Sequence, residues 1–193
     1  MGQHHVIKRR DAAATRASIL AAARHRFVNE SYDSVGLRDI AGDAGVDVAL
    51  ISRYFGGKAG LFLEVLHPGE KSPLDASLSA ADLPRHLSQM MAEANSESPN
   101  HRMEMFIIML RSASSPKAGA IIREHMRCDV LEPLIAVIGT ESAEWRANIV
   151  LSLFLGIGVL RTVMESDGLA CKEQDRSAFT ERLERLFAAV LEI

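Results

Sequence analysis

Cysteine and aromatic side chains are scarce in this chain of 193 residues: two cysteines, and aromatics at 5% of the whole. Cys128 and Cys171 stand far apart, in no metal-binding or redox spacing, which predicts reduced thiols and excludes a disulfide framework. A charged-then-apolar leader with a cleavage site is missing, and no apolar run reads as long enough to cross a membrane. The expectation is therefore a cytoplasmic chain without membrane partners. No segment alternates like a strand for long, which excludes a sheet and leaves an all-α fold; no repeat period or low-complexity tract interrupts it. Catalytic patterns are equally absent. Gly56-Gly57-Lys58 suggests a phosphate loop, but Ser52 replaces the earlier glycine and Ala59 follows the lysine. His125 with Cys128, and His4-His5, lack partners at a telling spacing. Neither an enzyme nor a cofactor or metal site is expected.

What is present is helical periodicity and an uneven spread of charge. The net charge of −3 argues nothing about nucleic acid by itself. Residues 1–60 hold nine basic against six acidic side chains, and residues 61–193 thirteen against nineteen. A mildly basic head on an acidic body suits a DNA-binding region attached to a regulatory one. Apolar spacing predicts about nine helices. The first runs from Asp11 to Asn29 with Ile19, Ala23 and Phe27 on one face, after a loose basic arm over residues 1–10. A second, capped by Ser34, runs to Asp43. A helix over 101–114 is apolar nearly all round and expected to be buried on most sides. The helix opened by Ser115-Pro116 must bend or end near Pro133, which lacks a helix N–H. Two further helices close the chain, from Gly139-Thr140 to about Glu165 and from Asp175 to Glu192.

Residues 34–58, SVGLRDIAGDAGVDVALISRYFGGK, are the most informative stretch. Leu37, Ile40 and Ala41 share one face, Gly45 stands where a helix end wants a left-handed residue, and Asp47 can cap a short helix whose Ile51 and Phe55 face inward. Two short helices joined by a glycine-containing turn are the sequence form of a helix-turn-helix. The outward residues of the second helix are Val48, Ala49, Ser52 and Arg53. Small side chains let a helix approach base edges, and arginine can grip guanine bidentately.

Over Thr15 to Leu66 the chain resembles the N-terminal domain of TetR-family transcriptional regulators. The register includes Tyr32-Asp33-Ser34, Leu37-Arg38-Asp39-Ile40-Ala41, Ala44-Gly45-Val46 and Leu50-Ile51-Ser52-Arg53-Tyr54-Phe55 with Lys58 and Leu61. The resemblance implies a three-helix DNA-binding domain over residues 1–57, arm included, and a helical regulatory, effector-binding and dimerisation domain over 58–193. It also implies roles: Arg38 to a phosphate or base edge, Val48, Ala49, Ser52 and Arg53 to bases, Tyr54 and Lys58 to the DNA backbone. Ser52 departs from the usual aromatic, which leaves Arg53 more of the sequence reading. Tyr54 has a second reading, a ring packed on Phe62 or its neighbours.

The partners so implied are a palindromic double-stranded operator, a second copy of the chain and a small-molecule effector, with repression the usual mode. Ala147, Leu151, Leu155 and Gly158, facing Phe179, Leu183, Leu186 and Phe187, offer a dimer interface; an intramolecular core explains the same stripes. Met90, Met105, Phe106, Met109, Met126, Trp145 and Phe154 offer a pocket for a hydrophobic effector, since methionine adapts to irregular apolar surfaces, and they are equally ordinary core fillers. The alternative function is a ligand-binding helical protein whose DNA-reading head is weakened or effector-dependent.

Overall fold

In the computed structural model, residues 3–67, 74, 78–93, 100–169, 171 and 173–192 are described. They form α1 (Gln3–Asn29), α2 (Leu37–Ala44), α3 (Val48–Phe55), α4 (Lys58–Leu66), α5 (Leu83–Glu93), α6 (Asn100–Ser112), α7 (Pro116–His125), α8 (Glu132–Ile138), α9 (Ala143–Thr162) and α10 (Arg176–Glu192). Among these residues there is no strand. Ten α-helical segments replace about nine because a π-helical run, Met126–Leu131, divides the helix expected to bend near Pro133. A missing proline N–H relaxes the i→i−4 ladder just ahead of it, and the wider turns take up the slack. The expected loose arm is corrected too: from Gln3 on, the backbone continues α1. Residues 70–81, rich in serine, proline and alanine, and residues 96–100 read as links between helices, and both stretches fall mostly outside the described residues.

The chain divides into two compact units, residues 1–70 with 104–125, and residues 71–103 with 126–193. In the first, Ile19, Ala23 and Phe27 recur every fourth residue on α1 and are fully buried with Ile40, Ile51 and Phe62. Phe62 is the centre of an aromatic cluster, its ring edge-on to Phe27 and to Tyr32, each at 4.9 Å. Tyr32 packs against Phe62 directly, and Tyr54 packs at the edge of the same core, its ring 6.4 Å from that of Phe55. Ile108 and Ala118 close the same core from α6 and α7. Leu110 of α6 is 48% exposed, so this helix is less enclosed than its composition predicts.

In the second unit α10 packs on α5, and α8 on α9. Leu83, Leu87 and Met91 meet a core that includes Ala147, Leu183 and Phe187. The Phe187 ring stacks on Phe154 at 5.5 Å. Arg161 donates through Nη1 to the carbonyl of Met91 at 2.8 Å and covers the Phe179 ring at 5.3 Å. Burial lowers the basicity of this guanidinium. One membrane expectation needs correction: Ala143–Arg161 is long and apolar enough to cross a membrane, with a mean hydropathy of 1.4. Ala147 and Val150 pack it into the core, and Trp145, Leu160, Val163 and Met164 leave its other side apolar and exposed.

Candidate nucleic-acid interface

The turn between α2 and α3 forms for the reasons its residues suggest. Gly45 adopts φ 67° and ψ 34°, and its N–H closes onto the carbonyls of Ala41 and Gly42. The N–H of Val46 then donates to Ala41 O at 2.9 Å, completing a Schellman-type end. Asp47 caps α3 by accepting from the Ala49 N–H at 2.7 Å. Ser34 does not cap α2; its Oγ lies 2.9 Å from that of Ser31, and the cap position is Gly36, with φ −93° and ψ 142°. A Cβ on Gly36 would come within 2.5 Å of Asp39 Oδ2. The acid of the first turn therefore occupies the space a side chain at 36 would need, where it also faces the positive end of the helix dipole.

The helix pair is tied down on several sides. Arg26 grips Asp43 bidentately, Nε to Oδ2 at 2.5 Å and Nη2 to Oδ1 at 2.9 Å, and reaches Glu30 at 3.2 Å. Arg16 pairs with Glu64 and lies over the Phe55 ring at 5.1 Å. From the α6–α7 corner, Arg111 donates to Asn29 O at 3.1 Å, Ser112 Oγ accepts from the Tyr32 N–H at 3.2 Å, and Ser115 donates to Asp33 Oδ1 at 3.0 Å. The hydrogen bond from Arg26 holds the Asp43 carboxyl below its ordinary range, and burial opposes it. A depressed carboxyl contributes stability above its unfolded pKa and loses it as pH falls through the folded value. The melting temperature of the wild type should thus exceed that of Asp43→Asn near neutrality. The two should converge as pH drops below the carboxylate range; a gap that persists at low pH would assign the effect to packing.

Val48, Ala49, Ser52 and Arg53 are all exposed on α3, opposite the buried Ile51 and Phe55. Arg38 is exposed on α2, and Tyr54 is half-buried at the edge of α3. Among the described residues neither Arg38 nor Arg53 enters a salt bridge, so both guanidinium groups face solvent. Lys58 is different. Its Nζ sits 4.6 Å from the centre of the Tyr32 ring, and burial lowers its pKa against the opposing pull of Asp33. Sequence reasoning missed one positioning residue, Gly60. A Cβ there would stand 1.9 Å from the carbonyl oxygen of Phe55, so only glycine lets α4 come this close to the end of α3. The pattern Phe-x-x-Lys-x-Gly was visible, but the helical interior position disguised the need.

Residues 19–65 match the family model described as "Bacterial regulatory proteins, tetR family", and residues 81–192 match "Tetracyclin repressor-like, C-terminal domain". The chain belongs to the TetR family of transcriptional regulators. Among solved structures, the regulator is similar to NalD of Pseudomonas aeruginosa, the secondary repressor of the MexAB-OprM multidrug efflux pump: TM-score 0.70, 20% identity, 90% of this chain and 96% of that one. GusR of Salmonella enterica gives 0.67 at 14% identity, covering 93% and 96%. MexZ of Pseudomonas aeruginosa, a repressor responsible for antibiotic resistance, gives 0.59 at 21%, covering 92% and 93%. At these identities the likeness is one of fold. No curated protein matches the sequence.

The other expected sites are distributed unevenly. Met105, Phe106 and Met109 lie in the first unit, and Met90, Met126, Trp145 and Phe154 in the second. Met109 packs against the first core, Phe154 stacks within the second, and Trp145 is 50% exposed. Trp145 points outward because its side of α9 is not the one that carries Ala147 and Val150 into the core. Of the expected dimer residues, Ala147, Leu183 and Phe187 are buried by their own chain and must be reassigned to its core. Leu151, Leu155, Gly158 and Phe179 are half-buried, and Leu186 is exposed.

Proposed function

We propose that this regulator reads a palindromic DNA operator as a homodimer, that it represses, and that a small, mainly hydrophobic effector releases it; we assign it no catalysis. The functional division falls after Gly57: residues 1–57 read, with Lys58 at the first turn of the linking helix, and the rest of residues 58–193 pair and sense. The observation that carries the reading is the α3 surface, three small side chains and an unpaired arginine facing outward together. Arg53 would read a base edge, with Val48, Ala49 and Ser52 setting how closely the helix approaches. Arg38, Tyr54 and Lys58 would hold phosphates, Lys58 after leaving the Tyr32 ring. An exposed, unpaired Arg53 on a well-capped helix favours an intact head over the weakened one that Ser52 suggests.

Dimerisation is supported by the apolar outer side of α9. Leu160 and Val163 are exposed there, and a Cβ added to Gly156 would meet nothing within 4 Å, which leaves room for a helix of a second copy next to Leu151, Leu155, Gly158, Phe179 and Leu186. Repression is supported by similar regulators, NalD and MexZ both being repressors, and effector release is what the family resemblance implies. For the effector, the proposed contacts are those expected residues that the second unit holds, Met90, Met126, Trp145 and Phe154.

Selection from a randomised duplex pool, followed by titration of the winner, tests this reading. The expected winner is palindromic and binds two chains. Arg53→Ala should weaken it by about 5–100-fold, the worth of one bidentate base contact. Failure to enrich any sequence would overturn the proposed reading head, and an undiminished Arg53→Ala would remove Arg53 from it.

A further inference from the structure

The second unit holds a cavity of about 320 Å³ between the start of α5, the end of α8, the start of α9 and the end of α10. Its walls are mostly apolar, including Leu83, Pro84, Ile138 and Leu191, and one cation, Arg146, lines it. The Arg146 Nη1 donates to Thr140 Oγ1 at 3.0 Å. Its Nε is buried without an acceptor, and no carboxylate among the described residues pairs with it. Arg146 as a whole is half-buried, but its Nε is shut off from water, and a buried donor left without an acceptor is costly until a ligand oxygen completes it. Glu192 also lines the cavity but forms no ion pair with Arg146. None of these residues belongs to the methionine and aromatic set proposed for the hydrophobic effector.

We infer that this cavity is a second small-molecule site, selective for a short aliphatic monocarboxylate whose head completes the Arg146 guanidinium and whose chain lies along Leu83, Ile138 and Leu191. The volume is at the low end of the roughly 300–1,000 Å³ typical of small-molecule sites, which fits a short chain and not a large polycyclic ligand. Arginine presents donors in a fork that matches a carboxylate, and an alcohol of equal chain length cannot answer its charge. Glu192 repels the same anion and sets an upper limit on affinity.

The test is calorimetric titration of the full chain with hexanoate and with hexan-1-ol. Hexanoate should bind saturably, and at least about tenfold more tightly than the alcohol, the effect expected of one charge-assisted hydrogen bond. Arg146→Gln should abolish that preference while leaving the melting temperature close to that of the wild type, because the position is half-buried and belongs to neither core. Glu192→Gln, an exposed position that leaves the fold alone, should tighten hexanoate severalfold and leave hexan-1-ol unchanged. Equal binding of acid and alcohol, no saturable binding, or hexanoate affinity indifferent to Glu192→Gln would each overturn the inference. None of these readouts involves DNA, so the inference stands or falls apart from the operator reading.

Discussion

Phe62→Ala should lower stability by about 3–5 kcal/mol, the range for emptying a large aromatic site in a packed core. Phe62 is fully buried, and its ring supports Phe27 from α1 and Tyr32 from the α1–α2 link, each at 4.9 Å edge-on. Aromatic pairs of this geometry add about 0.5–1.5 kcal/mol beyond the area they bury, which places the loss toward the upper end. In a domain of this size each kcal/mol moves the melting temperature by roughly 2–4 °C, so thermal denaturation should show a fall of about 6–20 °C. Tyr32 also carries the Lys58 ammonium, so the cavity would loosen the start of α4 as well. A fall of less than about 2 °C would mean that the cluster collapses around the missing ring, and that its stacking contributes little.

Gly60→Ala should damage DNA binding more than it damages the fold. An added methyl would sit 1.9 Å from the Phe55 carbonyl oxygen and 3.1 Å from its carbon. That obstacle is backbone, which cannot rotate aside as a side chain would. The end of α3 and the start of α4 must therefore move apart. Overpacking of this kind costs roughly 1–3 kcal/mol or more, offset by about 1 kcal/mol from the better helix propensity of alanine. The shift falls on the helix that carries Ser52 and Arg53, so operator affinity should drop more than tenfold, as misplacement of a bidentate contact requires. Gly42→Ala is the control: nothing lies within 4 Å of its added methyl, and it should leave affinity unchanged and stability equal or higher. Wild-type affinity in Gly60→Ala would show that α3 and α4 can separate without disturbing the reading surface.

The parts of this fold that the sequence discloses are those decided within one or two turns of chain. Gly45 and Asp47 act on backbone groups a few residues away, and they behave as their chemistry requires. The period of Ile19, Ala23 and Phe27 identifies an inward face because one helix fixes that geometry by itself. Pro133 likewise announces a disturbance, although not its π-helical form. Contacts between distant segments are a different problem. Nothing in the spacing says that Phe62 meets Tyr32 before Tyr54, or that Phe55 and Gly60 touch through backbone. Ala147, Leu183 and Phe187 form the stripes a dimer would use, and only the packing of α10 and α9 shows that their own chain already covers them. The outward turn of Trp145 has the same origin, since an apolar helix does not declare which of its sides meets a neighbour.

The bonds from Arg111, Ser112 and Ser115 to Asn29, Tyr32 and Asp33 bear on how portable the reading head is. A chimera that transplants residues 1–57 onto another sensor leaves behind the donors and acceptor that hold the α1–α2 link. It also leaves behind Phe62, Ile108 and Ala118, which seal the same core. The recipient inherits the recognition helix without the masonry beneath it. The smallest transferable piece, judged by what it buries, must bring residues 104–125 with it, so in this regulator specificity cannot be cut out along a single line in the gene.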